Sequence, residues 1–578
     1  MPPIKKKWQI APRITPLADE ALRQYHPILR QLLFNRGYAT PEKASAFIQA
    51  TRPPGTDSQN LSNIKKAVER IRWAIKENEY IVIYGDYDVD GVTATALLVE
   101  SLKFLGATVH GHIPNRFDEG YGLNIEALDT LKGQGVSLVI TVDCGIRSLP
   151  EASHAQQIGL DLIITDHHQP TNEIPTAHAI INPKLPEDQY PDKDLAGVGL
   201  AYKLASALFD DMNKTPINEF HHWDLNNHIL DHCLDLVSLG TVADLAPLVG
   251  ENRALVRSGL SLIQNPHRQG IQALIGISGL NRQKILASDI GYILGPRLNA
   301  AGRLESALAA LDLLLTSDIR EAAHLAQKLD NQNRERQILT RELQKLAEEI
   351  AHPDGSDSYI IFAAHPDFNP GVVGLVASRL VDLYYKPSII ASQGEKFTRG
   401  SCRSIPEFHI TEALDQCTDI MEHHGGHAAA AGFTIKNENL PELIERLQRI
   451  AHQKLADLDL QPILHSDMEI PLDELKPDLL TYLDWLEPTG YGNPSAVFIS
   501  RNLRVKSYRT VGREDAHLKL TVSDGRITYD AIAFRQGHLL TNMPNKIDLA
   551  YTFDKNIYNG QEYLQLQVKD IKPAGSKD

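Results

Sequence analysis

From about Leu61 the chain alternates short apolar runs with longer mixed stretches. Runs near Tyr80–Tyr84, Thr108–Ile113, Leu138–Val142, Leu160–Thr165 and Ala179–Ile181 read as strands, and the stretches between them as helices. That alternation predicts a multidomain α/β protein whose residues 61–315 form a parallel, doubly wound sheet. Residues 316–351 contain no Gly or Pro and are rich in helix formers, with Asp318 and Glu321 at capping-box spacing. They predict one connecting helix, roughly 50 Å long at about 1.5 Å per residue. Residues 352–459 return to an α/β pattern, with SYIIFAA and SIIAS as strands around a helix from about Gly371. In residues 460–578 the pattern becomes five short alternating runs, LRVKSYRTV, HLKLTVSD, ITYDAIAF, KIDLAYTF and EYLQLQVKDI, which predict a small β-barrel. Residues 1–60 read as a helical packing arm, broken by RPPGTDSQNL.

Several predicted strands end in acid or imidazole groups. The first runs into YGDYDVDG, which places Asp86, Asp88 and Asp90 where a parallel strand turns into a helix. Ligands of open α/β sheets bind at such carboxyl edges. Alternate residues of an extended segment point the same way, so the three carboxylates can converge. Converging like charges repel unless a cation neutralises them, and hard divalent ions take oxygen ligands. The third strand ends in TVDCGI, with Asp143, and the fourth in TDHH, with Asp166, His167 and His168; LVSLGTVADLAPL adds Asp244 in an apolar run. Each alone is an ordinary helix cap or structural histidine. Together on one sheet edge, neutral imidazole and several carboxylates point to a centre suited to Mn²⁺ or Mg²⁺.

Composition narrows the setting. A chain of 578 residues exceeds one core, and about 3–5 domains is the expectation from length. No apolar run reaches the roughly 18 residues of a membrane span. MPPIKKKWQIAP lacks an apolar core and is not expected to be a secretory signal. Cys144, Cys233, Cys402 and Cys417 show neither metal-site spacing nor a disulfide framework, which points to the cytoplasm. The net charge of −15 confines any nucleic-acid path to a local basic groove.

The ordered set DYDVDG, VDCG, DHH and GTVAD resembles the four motifs of the DHH phosphoesterase superfamily. IPNRFDEGYGL, GPRLNAAGRL, NPGVVGLVASRL, RGSCRS and GGHAAAAGF extend the resemblance to that superfamily's single-strand-specific exonuclease family, from about residue 60 to the C-terminus. It implies a DHH catalytic domain, a DHHA1 substrate-binding domain at 352–459 and an OB-like barrel at 460–578. It implies a two-metal phosphodiesterase with Asp88, Asp90, Asp143, His167 and Asp244 as ligands, Asp143 bridging and Asp86 a further ligand. His168 would hydrogen-bond the scissile phosphate or its leaving group. Arg116, Arg297, Ser401 and Arg403 would hold a terminal 5′ phosphate, with Arg303 as helper, and Gly425, Gly426 and His427 would approach the phosphate backbone. Two departures stand out. Tyr84 occupies a position where many superfamily members carry a histidine ligand, so either Asp86 substitutes or the first metal site is weak. Asn369 stands where the family has His.

The expectation from this resemblance is a two-ion, Mn²⁺- or Mg²⁺-dependent 5′–3′ exonuclease on single-stranded DNA, serving repair and recombination. Its barrel aromatics Tyr508, Phe534 and Tyr558 would be candidate stackers on bases. The chain is expected to act as a monomer, with a single-strand-binding protein or a helicase as partner, no membrane, and no domain beyond the barrel. Two other readings stay open. One is a DHH enzyme for short oligonucleotides, cyclic dinucleotides or pyrophosphate, which would need neither barrel nor long connector. The other is a non-catalytic single-strand-binding scaffold, against which the retained acids argue.

Overall fold

The computed structural model describes residues 5–115, 122–214, 229–352, 358–558 and 561–576. It divides into two compact units, one of Ile10–Asp330 with Ser466–Lys577, the other of Asn331–His465 with Met1–Gln9 and Asp578. The helix Ile319–Ala351 belongs to both and is divided at Asp330–Asn331. Asp318 starts it by accepting from the amides of Arg320 (2.7 Å) and Glu321 (2.9 Å). The Glu321 side chain takes the Thr316 hydroxyl instead of closing a capping box.

The larger unit is built on a five-stranded parallel sheet in the order Thr108–His112, Tyr80–Gly85, Val136–Val142, Asp161–Thr165, Ala179–Ile181. Both faces are covered. Ile81, Ile83, Leu138 and Ile140 meet helices Ile64–Lys76, Val89–Phe104 and Gly197–Lys214 in the main core. Val82, Tyr84, Val139 and Ile164 meet helices Ile125–Gly133 and Leu149–Gln157 in a smaller one. Burial on both faces is why these strands read as unbroken apolar runs.

The same unit holds the C-terminal barrel. Strands Phe498–Val511, His517–Ser523, Thr528–Ala533, Gln561–Pro573 and Lys546–Tyr558 pair in that order, the last pairs back with the first to close the barrel, and the short strand Met468–Glu469 adds beside Phe498–Val511. The N-terminal helices Pro27–Asn35 and Pro41–Gln49 share its core: Leu29, Leu32 and Phe47 lie with Ile470, Phe498, Leu549 and Val568. Arg253, on helix Gly250–Gln264, is buried between the N-terminal arm and the segment that leads into the barrel. Its guanidinium donates to the carbonyls of Phe47, Trp485, Leu486, Glu487 and Pro488 at 2.8–3.1 Å.

The smaller unit carries a mixed five-stranded sheet, Met421–His427, Ala430–Lys436, Phe397–Arg403, Ser388–Gln393, Ile361–His365. Only the last pair is parallel. Helix Val373–Tyr384 connects that pair, as the sequence pattern predicts.

Candidate metal centre

The strand Tyr80–Gly85 delivers the chain into a turn that only a glycine can close. A Cβ on Gly91 would lie 2.5 Å from the backbone N and O of Asp86. Asp88 caps the following helix, its Oδ1 accepting from the amides of Asp90 (2.9 Å) and Gly91 (3.1 Å). Asp90 points into the protein and accepts from the amides of Gly197 (2.6 Å) and Val198 (2.8 Å), at the start of helix Gly197–Lys214. Helix N-termini favour such anions. Gly240 lets helix Leu234–Ala243 close in, since a Cβ there would lie 2.7 Å from Asp90 Oδ1.

Asp143 follows strand Val136–Val142 with φ 62°, a left-handed conformation that costs energy for a non-glycine residue and clusters at functional sites. Its amide donates to Thr165 O at 3.0 Å, tying two strand ends together. Asp166 accepts from the amides of Ile146 (2.9 Å) and His168 (3.0 Å) and lies 2.7 Å from His168 Nδ1. Asp244 departs from the expected sheet edge. It is the C-cap of helix Leu234–Ala243, brought to the site by helix packing.

Three sets of ligand atoms result, each mutually within 4.8 Å: Asp86, Asp88 and Asp143; Asp90, His167 and Asp244; and Asp143, His167 and His168. His167 Nε2 stands 3.0 Å from Asp143 Oδ1, 3.7 Å from Asp244 Oδ2 and 3.9 Å from Asp90 Oδ2. Burial, then the Asp88 charge, pushes Asp90 up to about 7. Burial and Asp90 push Asp244 up to about 8, and burial and Asp90 hold Asp143 well above the carboxylate range. Burial and the neighbouring His168 push His167 down to about 3, so it is a neutral imidazole, the form that binds metals. For His168 burial works downward, but the Asp166 hydrogen bond and charge prevail and raise it. Asp143 Oδ1 and His167 Nε2 are both buried without a hydrogen bond. A divalent cation fits this donor set, because it would satisfy those atoms and neutralise the crowded carboxylates.

Comparison with known proteins agrees with this geometry. Residues 80–241 match the DHH family, N-terminal domain, 356–453 the DHHA1 domain and 466–570 the RecJ OB domain. The single-stranded-DNA-specific exonuclease RecJ of Bacillus subtilis is 37% identical over 572 residues, covering 98% of this chain and 71% of that protein. The protein of the same name from Salmonella typhimurium is 36% identical, covering 99% and 100%. The chain belongs to the RecJ family. The crystal structure of RecJ in complex with Mn²⁺ from Thermus thermophilus matches with TM-score 0.84 and 28% identity, over 99% of this chain and 80% of that one.

The remaining residues expected from the RecJ-family motifs are distributed unevenly. Arg116 lies outside the described residues. Tyr84 is fully buried in the smaller core, with its ring 4.8 Å from that of His112 and its hydroxyl donating to Gly122 O at 3.0 Å. Asp86 lies with Asp88 and Asp143, their ligand atoms within 4.8 Å of one another. Arg297 donates to Asp330 (2.9 Å) and to Ile293 O (2.7 Å). Arg303 lies in the last turn of the same helix, Gly295–Leu304. That helix touches the DYDVDG turn: Val89 N donates to Asn299 Oδ1 at 3.2 Å, and a Cβ on Gly302 would lie 2.6 Å from Tyr87 O.

In the smaller unit, Arg403 donates to Ser401 Oγ (3.3 Å) and Cys402 O (2.8 Å). Both side chains face the start of helix Val373–Tyr384, where a Cβ on Gly374 would lie 3.0 Å from Ser401 Oγ and 3.1 Å from an Arg403 guanidinium nitrogen. Gly425, Gly426 and His427 occupy the exposed outer strand of a hairpin. Asn369 accepts from Gly371 N at 2.7 Å. Of the barrel aromatics, Tyr508 and Phe534 are exposed, and the Tyr558 side chain lies outside those described.

Sequence reasoning missed the amides of Gly197 and Val198, which hold Asp90. The signal was the AGVG run opening a helix. It also left Asp166 without a role, although an Asp two residues before His168 can take both its amide and its ring.

Proposed function

We propose that this RecJ-family chain is a divalent-metal-dependent exonuclease that hydrolyses single-stranded DNA from its 5′ end. The observation that carries the reading is the convergence of five aspartates and His167 into two ligand sets with Asp143 beside both. Asp86, Asp88 and Asp143 would hold one cation, and Asp90, His167 and Asp244 the other. When bound, two such ions supply Lewis acidity to an attacking water and to the oxygens of the scissile phosphodiester.

The protein's own groups do the rest. The amides of Gly197 and Val198 fix Asp90, and Asp166 fixes the His168 ring. His168, less buried than His167, would hydrogen-bond the scissile phosphate or its leaving oxygen. Ser401 and Arg403 are the proposed grip on the terminal 5′ phosphate, and Arg116, Arg297 and Arg303 are proposed phosphate contacts of the larger unit. Such a grip is reusable only if each cut leaves a new 5′ phosphate on the strand. The water oxygen therefore bonds to phosphorus, the bond from phosphorus to the 3′ oxygen breaks, and that oxygen takes up a proton.

A closed barrel with exposed Tyr508 and Phe534 supports single-strand binding by stacking. Both ligand sets come from one chain, which supports action as a monomer. Four buried, unpaired cysteines suit a reducing cytoplasm, and no described helix is long and apolar enough to cross a membrane. An enzyme restricted to single strands depends on a helicase, or on a single-strand-binding protein, to present its substrate. The test is cleavage polarity on end-labelled strands with Mn²⁺ and with EDTA. Mononucleotides released from the 5′ end only with metal are expected. Cleavage of dinucleotides with long strands untouched would favour a small-substrate enzyme.

A further inference from the structure

Tyr292 is the most exposed large apolar side chain among the described residues, at 85%. It does not belong to a frayed loop. It sits in a π-helical turn, Ile290–Leu294, whose Ile290 and Leu294 are fully buried. π-Helical turns are rare and recur at functional sites. This one rests on the last turn of the helix that ends at Asp244: a Cβ on Gly291 would lie 3.8 Å from Val242, and one on Gly295 3.4 Å from the Ala243 Cβ. Its continuation, helix Gly295–Leu304, reaches the DYDVDG turn through Asn299 and Gly302. Just before it, Lys284 pairs with Glu562 on the barrel at 3.5 Å. One segment thus touches the barrel at one end and both ligand-bearing turns at the other, with a bare phenol ring between. Among the described residues that ring meets no hydrogen-bond, ion-pair or ring partner.

We infer that Tyr292 is a base-stacking platform, on which a nucleobase near the 5′ end of a single strand rests as its phosphodiester enters the metal centre. The inference rests on the reading of the protein as a single-strand exonuclease. A ring bound at one face to no protein group suits stacking, which tolerates any base because each has a π face. In a duplex, neighbouring base pairs cover those faces, whereas the bases of a single strand can splay apart, so the contact also favours single strands over duplex.

The experiment compares wild type, Y292A and Y292F on 5′-phosphorylated single strands with Mn²⁺. One strand is intact, and others carry a single abasic residue at each of the first four positions. Wild-type release of mononucleotides from the intact strand checks the exonuclease reading separately. The expected result is a drop in kcat/KM of about 5- to 140-fold for Y292A, the range for loss of one stack. Y292F should restore it. One abasic position should cost the wild type a similar factor and cost Y292A nothing further. A Y292A rate within twofold of wild type, or equal abasic penalties in the two proteins at all four positions, would overturn the stacking role.

Discussion

Arg253 lies over the ring of Phe47, with its guanidinium carbon 3.9 Å from the ring centroid. Its nitrogens meanwhile satisfy five backbone carbonyls of the arm and of the segment leading into the barrel. Burial pushes the guanidinium down to about 10, still charged at neutral pH. Removing it leaves several buried carbonyls without donors, each costing about 1–3 kcal/mol. Arg253→Met should therefore destabilise the larger unit by roughly 3 kcal/mol or more, seen as a lower urea midpoint. Arg253→Lys should rescue little, because three ammonium donors cannot reproduce a planar fork. A midpoint unchanged in both variants would show that the barrel is seated by its apolar core alone.

Asp143 touches both ligand sets, so Asp143→Ala should abolish cleavage at saturating Mn²⁺. It should also remove most of the metal's effect on stability. A ligand at about 100 times its Kd stabilises by about 2.7 kcal/mol. The wild-type melting temperature should rise on adding Mn²⁺, and the variant's should rise much less. Near-normal turnover, or a full thermal response, would exclude Asp143 as the shared ligand.

Tyr84→His tests whether a histidine here can serve the metals. The hydroxyl of Tyr84 is committed to Gly122 O inside a sealed core. The expected outcome is an unchanged Mn²⁺ concentration for half-maximal activity, with stability reduced by about 1–3 kcal/mol because Gly122 O loses its donor. A lower Mn²⁺ requirement would mean that the imidazole reaches the cluster after all.

Arg403→Ala should erase discrimination between 5′-phosphorylated and 5′-hydroxyl strands. A charge-assisted hydrogen bond contributes about 1.5–3 kcal/mol, so the ratio of rates on the two ends should fall about 10- to 140-fold. Hydrolysis of an activated small phosphodiester should survive. A ratio identical to that of wild type would place the 5′-phosphate grip elsewhere.

The parallel sheet was legible because its strands are apolar on both faces, and the barrel because its strands alternate. The acids at the ends of Tyr80–Gly85 and Val136–Val142 were legible for the same reason: a strand end fixes where its next residues go. Asp244 was harder. It reaches the centre only because helix Leu234–Ala243 packs against Asp90 at Gly240, a tertiary contact that no local pattern encodes. Tyr84 shows the converse. Its position in the motif suggests a ligand, yet strand alternation puts it on the face shared with Val82, in the core under Leu123 and Leu128. Arg253 gave no sign of its role, because an arginine in an amphipathic helix reads as solvated until its carbonyl partners arrive from far along the chain.

The core shared by the N-terminal helices and the barrel sets an order of assembly. Leu29, Leu32 and Leu33 leave the ribosome more than 400 residues ahead of their partners, which run from Ile470 to Val568. At about 5–20 residues per second, that interval is roughly 20–90 s. Throughout it the arm carries an apolar face with nothing to bury it, a natural client for a chaperone. A nascent chain halted before the barrel would be a sticky intermediate, because the barrel is what covers the apolar face of the arm.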